Sequence, residues 1–570
     1  MDRALQLPRR ARSSKQLLAF CTGLLALGCA TSGEPPGTMC AGPALDIAEL
    51  QGSGAVSPLL DERVEIEGSV SVAPAPSGAR PGFFLQREPA AARGERSSGI
   101  FVAVESTDLP APGQRLRVQG RVAELDGVTA LVSVERIEPC GRAALSPSDI
   151  ELGSEPDLER WEGMWIRARA DWTLVDSSEL ERRGELGISP VGRRYATGHP
   201  LAQAQAEGAV WTLLGMADTA RAWLRAGSLS EHLRLGARAR ELTAVVLSGA
   251  PATLLATEPV ELRAPPPVPP SAVPDDAVRV AALNLNNYFV QLGARGAGSE
   301  PELSRQRAKL VAALHQLDAD ILALNELENQ SPGPSGNAAP PRSLGDLLGA
   351  LNSELPDELG YSVSESGADD SDVIRSAIVY RNRRVRPSGP AWFASSPMFQ
   401  RAPLFQSFEI RGRTLSVGVV HLKSKLCSGA GQIIGAEGCG AETRAAEARA
   451  LAAAVASLPE PRDVLLIGDF NSDALETPLL ELKRVGFSDL FAGVPAEDRY
   501  SYAFDGHASQ LDHALASSAL AAALANAQIW HINADEPELL GYGLEHPPQA
   551  YRADARRSSD HDPILVDFAL

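Results

Sequence analysis

Short apolar runs recur along the second half of the chain, and each borders an Asn, Asp, Glu or His. Apolar runs of about four to eight residues predict buried β-strands. The clearest case is Val-Leu-Leu-Ile-Gly at 464–468, which leads into Asp469 and, two positions on, Asn471. Because side chains alternate along a strand, these two polar groups leave the core on the same side. The other bordering residues are Asn284, Glu326, His421, Asp512, Asp560 and His561.

One polar residue at a strand end is ordinary, since the chain has to leave the core somewhere. Six such strand ends lie in one region and are all bordered by Asn, Asp, Glu or His, and the ordinary explanation does not account for that. They predict one convergent polar site at the rim of a β-sandwich. The segments concerned are 278–284, 321–326, 417–421, 464–471, 510–517 and 564–568.

The first half of the chain has the alternation of a β-rich fold. Val64–Val72 alternates clearly, and further short β-prone runs follow at 82–86, 100–104, 115–122 and 128–134. Five short strands in this span predict a small barrel of the OB type. Phe83, Phe84 and Phe101 have the chemistry to stack on bases, but core packing is the preferred interpretation. Residues 141–263 form a second β-rich region with no assigned role.

Six motifs of the second half contain these polar residues, namely Leu283-Asn-Leu-Asn-Asn-Tyr-Phe289, Glu326-Leu-Glu-Asn329, His421-Leu-Lys-Ser-Lys425, Gly468-Asp-Phe-Asn471, Leu511-Asp-His513 and Ser559-Asp-His-Asp-Pro563. Together they resemble the endonuclease/exonuclease/phosphatase superfamily, which has the DNase I-like fold, and in particular its secreted bacterial extracellular nuclease branch. The resemblance covers about half the chain, from near Val278 to Leu570. It implies an α+β protein whose C-terminal part is a four-layer α/β sandwich, with two packed, mainly antiparallel sheets flanked by helices.

The resemblance also implies a metal centre and a base. Glu326 and Asp560 would hold a divalent cation, Mg²⁺ or Mn²⁺, with Ca²⁺ as an alternative. His561 would take a proton from water, and Asp512 would fix its tautomer and stabilise the imidazolium. Asp469 would orient the attacking water.

The remaining implied roles concern the phosphate. Asn284 and Asn471 would donate to phosphate oxygens. His421 would protonate the leaving group or bind the phosphate as a cation, and Asp372 is the candidate for its carboxylate partner.

Lysine is scarce in this chain, and its positions are informative. Only five lysines are present, yet Lys423 and Lys425 fall on alternate positions just after His421. We expect both to share a strand face with that histidine and to contact backbone phosphates. The alternative is that the two lysines are solvated charges that keep an edge strand from pairing with another chain.

The formal net charge is −19, so the chain lacks the excess of basic residues that is typical of DNA-binding proteins. Bound cations and a few local bases can hold a phosphate in such a chain. The charge therefore predicts strong dependence on divalent ions and modest affinity for DNA.

The N-terminus has the pattern of an export signal. Basic residues precede a largely apolar run, Leu17–Gly28, that is too short to span a bilayer. Leu-Ala-Leu-Gly-Cys29 resembles a bacterial lipobox, with Cys29 as the lipidated residue. Ordinary signal cleavage nearby is the alternative, and Arg9-Arg10 is only a partial match to a twin-arginine signal. We expect an exported chain, lipid-anchored to the cell envelope or surface, or secreted, with no transmembrane helix after processing.

The cysteines agree with export to an oxidising compartment. Cys21 lies in the apolar run and Cys29 would carry lipid, which leaves four. Four cysteines allow other connectivities, and locality favours the disulfides Cys40–Cys140 and Cys427–Cys439. A four-cysteine zinc site is the alternative, but no Cys-x-x-Cys spacing supports it.

The expected domain order is a lipoprotein-type signal, a tether, an OB-like barrel, a second β-rich domain, a Pro-rich linker and the catalytic domain. Their bounds are 1–29, 30–44, 45–140, 141–263, 264–276 and 277–570.

The sequence thus predicts a metal-dependent phosphodiesterase that hydrolyses extracellular nucleic acid by direct attack of water. A DNA endonuclease is preferred over an RNA-cleaving enzyme, and we expect a monomer. Two alternatives stay open. One is a phospholipid or small phosphoester hydrolase of the same fold, and the other is a non-catalytic surface lipoprotein that binds DNA.

Overall fold

A computed structural model describes the chain from residue 40 onward with gaps. The described residues are 40, 42–73, 81–87, 96–106, 108–151, 158–202, 210–215, 225–226, 228–249, 252–293, 295–329, 342–364, 372–427, 436–458 and 463–570. The signal region, Cys29 and nearly all of the tether lie outside them.

Strands dominate the described part of the chain. They are β1 Arg63–Val72, β2 Gly82–Gln86, β3 Gly99–Ala103, β4 Gln114–Leu125, β5 Val128–Arg142, β6 Ser148–Glu151, β7 Trp165–Asp176, β8 Glu185–Ser189, β9 Arg194–Tyr195, β10 Trp211–Leu214, β11 Arg238–Gly249, β12 Ala252–Ala256, β13 Ala277–Tyr288, β14 Ile321–Glu328, β15 Tyr361–Val363, β16 Ile374–Arg381, β17 Arg386–Phe393, β18 Leu404–Ile410, β19 Arg413–His421, β20 Val464–Asp469, β21 Phe487–Asp489, β22 Tyr502–Phe504, β23 His507–Ser509, β24 Asp512–Ser517, β25 Leu524–Ile529 and β26 Ile564–Ala569.

The α-helices are fewer, and the longer ones lie in the second half. They are α1 Ile47–Gln51, α2 Leu180–Arg183, α3 Leu229–Leu233, α4 Glu300–Leu317, α5 Arg342–Ser353, α6 Ala441–Ala456, α7 Thr477–Arg484 and α8 Ser518–Ala521.

Two six-stranded sheets form the C-terminal half within the described residues. Their strand orders are β15-β16-β14-β13-β26-β25 and β17-β18-β19-β20-β24-β21. Apolar residues of both sheets, such as Val280, Ile321, Val417 and Ile467, pack into one core between them. This interior is dry and apolar, as expected for two sheets packed face to face.

Helices cover the outer faces of both sheets. Leu310 and Leu314 of α4 pack with Leu322 of β14 in a second core. Leu451 of α6 packs with Leu466 of β20 in a third. The predicted four-layer order of helix, sheet, sheet and helix is therefore confirmed, and the central strands carry apolar residues on both faces because both faces are covered.

The N-terminal part is a closed five-stranded barrel with strand order β1-β2-β3-β5-β4, counted over the described residues. The predicted small barrel is present, and its assignment to the OB class stays a prediction. Phe83, Phe84 and Phe101 are buried, so they pack in the interior and are not a surface for bases. Cys40 and Cys140 form a disulfide next to this barrel, and Cys427 and Cys439 form a second one, as predicted.

Residues 148–256 contribute a six-stranded sheet, ordered β11-β12-β10-β8-β7-β6 where the structure describes it. This middle region packs on the C-terminal half, because its core includes Leu539, Leu540 and Ala550. In addition, β9 joins β22 and β23 in a small three-stranded sheet. Among the described residues, no helix combines the length and apolarity needed to cross a membrane.

Candidate active site

The directions of the central strands bring the predicted polar residues to one edge of the sandwich. β13 and β14 run parallel, as do β19 and β20, so the carboxyl ends of each pair lie together. β26 and β24 are antiparallel to these pairs, so their amino ends reach the same edge. In register, Asn284 lies beside Asn325, His421 beside Asp469, and Asp469 beside Asp512.

His561 and Asp512 form a buried hydrogen-bonded pair, with Nδ1 of His561 2.7 Å from Oδ2 of Asp512. The Ser501 hydroxyl donates to the same oxygen at 2.7 Å, which fixes the carboxylate. Burial opposes a charged ring, but Asp512 and Asp469 raise the pKa of His561 well above its usual value. The pairing leaves Nε2 as the nitrogen that faces the rest of the site.

Asp469 lies at the centre of a network of amides. Its Oδ2 accepts from Nδ2 of Asn284 at 3.2 Å and from Nδ2 of Asn471 at 3.1 Å, and its Oδ1 accepts from the Asn471 backbone N–H at 2.8 Å. Asn325 accepts the Asp469 backbone N–H. Burial raises the pKa of Asp469 to about 7, although His561 acts in the opposite direction.

The two predicted phosphate donors differ in this network. Asn471 also donates to the Leu422 carbonyl at 3.1 Å, which uses its second amide hydrogen. It therefore holds Asp469 in place here and does not offer a donor to a phosphate. Asn284 donates to Asp469 and also forms a side-chain hydrogen bond with Glu326, so its role at a phosphate stays a prediction.

His421 contacts the carboxylates from the opposite side. Its Nε2 lies 3.5 Å from Oδ2 of Asp469 and 3.9 Å from Oε1 of Glu326. Burial, together with Arg401, His561 and Arg295, lowers the pKa of His421 well below its usual value. Protonation of a leaving group and cationic binding of phosphate would both need a charged ring, so both predicted roles stay predictions, and the neutral ring can offer a hydrogen bond.

Asp372 is not the partner of His421. Its carboxylate accepts from Nε of Arg401 at 2.9 Å. Asp372 therefore pairs with this arginine and not, as the sequence had predicted, with His421. Nδ1 of His421 is buried without a hydrogen-bond partner within the described residues. Arg401 itself donates to the Leu422 carbonyl, next to His421.

Glu326 has an unusual backbone. Its φ is +63°, a left-handed conformation that L-residues other than Asn and Asp seldom adopt, and β14 is irregular between Leu324 and Leu327. The irregularity turns the side chain out of the sheet, where Oε2 accepts the Asn287 N–H at 2.9 Å. Such strain is retained where the surrounding structure imposes it, which favours a functional role.

The donor set fits a hard divalent cation. Burial raises the pKa of Glu326 and the charge of Asp560 raises it further, so two carboxylates repel each other at close range. A cation between them would relieve that repulsion, and carboxylate oxygens are the ligands that Mg²⁺ and Mn²⁺ prefer. One ligand atom each from Asp469, Asp512 and His561 also lies within 4.8 Å of the others, which is a second candidate set.

The lysines depart from the predicted arrangement. β19 ends at His421, so Lys423 and Lys425 lie in the loop beyond it and not on its face. The Lys425 ammonium contacts Asp473 at 2.8 Å and Glu476 at 2.6 Å, and this buried ion pair leaves it no role at a phosphate. Lys423 is half-buried and stays a candidate for phosphate contact.

Sequence reasoning missed several neighbours of the site. Ser501 and Ser559 fix Asp512 and the Asn284 carbonyl, and the Tyr502 ring lies 4.8 Å from the His561 ring. Ser559 is the first residue of a quoted motif, so its position could have indicated it, whereas Tyr502 lies outside every motif. Arg401 is far from every motif and carried no signal.

Residues 281–561 match the sequence model of the Endonuclease/Exonuclease/phosphatase family. All of the polar cluster lies within this span. The C-terminal half of the chain belongs to this family. No curated protein matches the chain.

Among solved structures, zebrafish (D. rerio) TDP2 in complex with a single-strand DNA product is 18% identical, over 52% of this chain and 99% of its own, with a TM-score of 0.33. The human Nocturnin catalytic domain with bound sulfate is 15% identical, over 52% and 96%, with a TM-score of 0.34. The mannosyl-6-phosphatase Bt3783 of Bacteroides thetaiotaomicron is 19% identical, over 51% and 98%, with a TM-score of 0.34.

Proposed function

We propose that this endonuclease/exonuclease/phosphatase family protein is a metal-dependent phosphodiesterase that cleaves extracellular nucleic acid, with DNA cut internally. The observation that carries the proposal is the buried Asp512–His561 pair beside Asp469. A base, an acid and a group that orients water, all at one sheet edge, are what direct hydrolysis of a phosphodiester needs.

The chain's own residues divide the reaction among them. Nε2 of His561 takes the proton of the attacking water, and Asp512 stabilises the imidazolium that forms. Asp469 orients that water, and Asn284 donates to a phosphate oxygen. His421 acts on the leaving side, where its neutral ring donates a hydrogen bond to the departing oxygen, and that oxygen takes its proton from solvent water. No covalent intermediate is needed.

Glu326 and Asp560 would hold the divalent cation. When bound, the cation would neutralise phosphate charge and favour the departure of the leaving oxygen.

The preference for nucleic acid over a small phosphoester has a structural support of its own. Tyr502 lies against His561, and Phe504, two positions along the same strand, is 65% exposed. Side chains two apart share a face of a strand, so an aromatic surface extends from the base toward solvent. Such a surface can stack on unpaired bases, at about 1–3 kcal/mol per base.

The proposed location is outside the cytoplasm, with Cys29 as a lipid anchor to the cell envelope or with the chain secreted. The N-terminal sequence pattern supports it, and two disulfides are consistent with an oxidising compartment.

The test is nicking of circular double-stranded DNA by the purified chain from Ala30 onward, with Mg²⁺, Mn²⁺ or Ca²⁺ and with chelator. The His561→Ala variant should be inactive, whereas His315→Ala, which changes a histidine on the outer helix α4, should keep activity. Intact plasmid under every cation would reject the DNA endonuclease. RNA, DNA ends, phospholipid and small phosphoesters would then separate the remaining substrates.

A further inference from the structure

The middle region contacts the same segment of chain that supports the active site. β9 pairs in parallel with β23, and the Ala196 N–H donates to the Ala508 carbonyl at 2.9 Å. The Tyr195 hydroxyl donates to the Glu497 carbonyl at 3.0 Å. Nε2 of His199 lies 2.9 Å from the Arg499 carbonyl. The segment 497–509 is thus held at several backbone positions by residues 195–199.

A buried ion cluster joins the same two parts of the chain. Arg193 donates to Oδ1 of Asp535 at 2.8 Å. Arg234 donates to Glu536 at 2.5 Å and to Oδ2 of Asp535 at 3.2 Å. Arg234, Asp535 and Glu536 are buried, so each charge depends on its partners across the interface.

From this cluster, contacts lead directly toward the active site. The Arg193 guanidinium lies 4.4 Å from the centre of the Tyr500 ring, and the Tyr500 hydroxyl donates to Asp535 at 2.8 Å. The other face of Tyr500 stacks on His531, with ring centres 4.0 Å apart. Nδ1 of His531 lies 2.9 Å from Oδ2 of Asp562, the residue after His561.

A second, shorter connection runs through Ser501, the residue after Tyr500. Its hydroxyl donates to Asp512, and its carbonyl accepts the Asp562 N–H at 2.7 Å. Both connections end at the Asp512–His561 pair or at the residue next to it. Displacement of Tyr500 would therefore move the carboxylate and the ring together.

We propose that Arg193 and Arg234, which lie outside the family match, are positioning residues for His561. The middle region is thereby part of the catalytic unit and not a separate module. This inference rests on the proposed function, because it is there that His561 takes the proton. Its physical basis is that small displacements of a base reduce turnover more than they reduce substrate binding.

The experiment compares Arg193→Ala, Arg193→Lys and the control Arg238→Ala in the full chain. Arg238 is an exposed arginine of the same region whose ion pair, with Asp171, stays within that region. We expect kcat of Arg193→Ala on DNA with Mg²⁺ to fall about tenfold or more, with KM within about twofold of wild type. Arg193→Lys should recover part of kcat, because it keeps the charge but loses the planar contact with Tyr500. Arg238→Ala should match wild type.

A folded Arg193→Ala variant whose kcat stays within about twofold of wild type would overturn the proposal. Should Arg193→Ala not fold, Tyr500→Phe, which removes only the hydroxyl contact with Asp535, makes the same comparison. Hydrogen exchange gives a readout that needs no substrate. Amides of 497–512 should exchange faster in Arg193→Ala than in wild type or Arg238→Ala, and unchanged exchange would overturn the coupling.

These measurements separate the two proposals. Wild-type protein that cleaves no phosphoester, together with faster exchange in Arg193→Ala, would reject the proposed function and leave the coupling intact. Wild-type protein that cleaves DNA, together with an Arg193→Ala variant whose hydrogen exchange and kcat are unchanged, would support the proposed function and reject the coupling.

Discussion

His561 is held between two carboxylates that have different neighbours. Asp512 is fixed by a serine hydroxyl and bonds Nδ1 directly, whereas Asp469 is surrounded by amides and raises the pKa of the ring from a distance. The first carboxylate therefore determines the tautomer, and the second determines the charge around the reacting water. Substitutions at the two positions should have separable effects.

The Asp512→Asn substitution tests whether Asp512 fixes the tautomer of His561 and stabilises its charged form. The amide keeps the size of the side chain but removes the charge that stabilises the imidazolium, so kcat should fall by about 10²-fold or more with little change in KM. Steady-state kinetics with Mg²⁺ measure both. Asp505→Asn is the matched control, since Asp505 lies in the neighbouring turn at φ +48°, which asparagine also adopts readily. Equal kcat in the two variants would contradict the role of Asp512.

The two loop lysines should behave in opposite ways. Lys425→Ala leaves Asp473 and Glu476 buried without their cation, so the free energy of unfolding should fall by up to about 3 kcal/mol. Lys423→Ala should instead raise KM for DNA and leave stability unchanged. Urea unfolding and steady-state kinetics on both variants provide the measurement. A stable Lys425→Ala variant with a raised KM would restore the phosphate role inferred from sequence.

At the scale of elements, six of the twelve strands described in the two large sheets could be predicted from sequence. Runs such as Val464–Ile467 are apolar on both faces, and a strand between two covered faces has that pattern. Lys423 and Lys425 were wrongly expected to share the face of β19, because they continue its alternation by coincidence although the strand ends at His421. The contacts of Lys425 with Asp473 and Glu476, about fifty positions away, show that the chain has turned.

The disulfide between Cys427 and Cys439 closes the loop that follows β19 and leads into α6. Replacement of both cysteines by serine should lower the free energy of unfolding by about 3 kcal/mol, because the unfolded chain regains the freedom of that loop. Urea unfolding of the double variant against wild type measures the difference. Reductant added to the variant controls for the other disulfide, and a difference below about 1 kcal/mol would contradict the estimate.

On the scale of the whole molecule, the packing of the middle region on the catalytic half could not be predicted from sequence. Arg193 and Asp535 are more than three hundred positions apart, and neither lies in a motif. A single arginine or aspartate belongs to no repeating pattern, so the sequence does not predict which residue it contacts. The site residues could be predicted because each follows or precedes an apolar strand, which is a pattern visible in the sequence. The contacts that support them have no such pattern.

The barrel and the middle region also meet around a buried acid. Glu162 is 1% exposed and accepts the Thr129 N–H of β5, and burial raises its pKa from 4.5 to about 8. The folded state therefore holds a proton that the unfolded state has lost. Stability should fall as pH rises from about 4.5 to about 8.

Glu162→Gln should remove this contribution while it keeps the acceptor for Thr129. Its free energy of unfolding should exceed that of wild type above pH 8 and match it near pH 4.5. Urea unfolding across that range measures the effect. Parallel profiles for the two proteins would contradict it.

The left-handed backbone at Glu326 has a consequence for how the protein can evolve. A residue with a side chain in this conformation costs about 1–2 kcal/mol, a penalty that glycine would not carry. Glu326→Gly should therefore relax the strand while it deletes the carboxylate offered to the cation. Selection for heat tolerance alone would favour the loss of this side chain, and only selection for turnover would retain it.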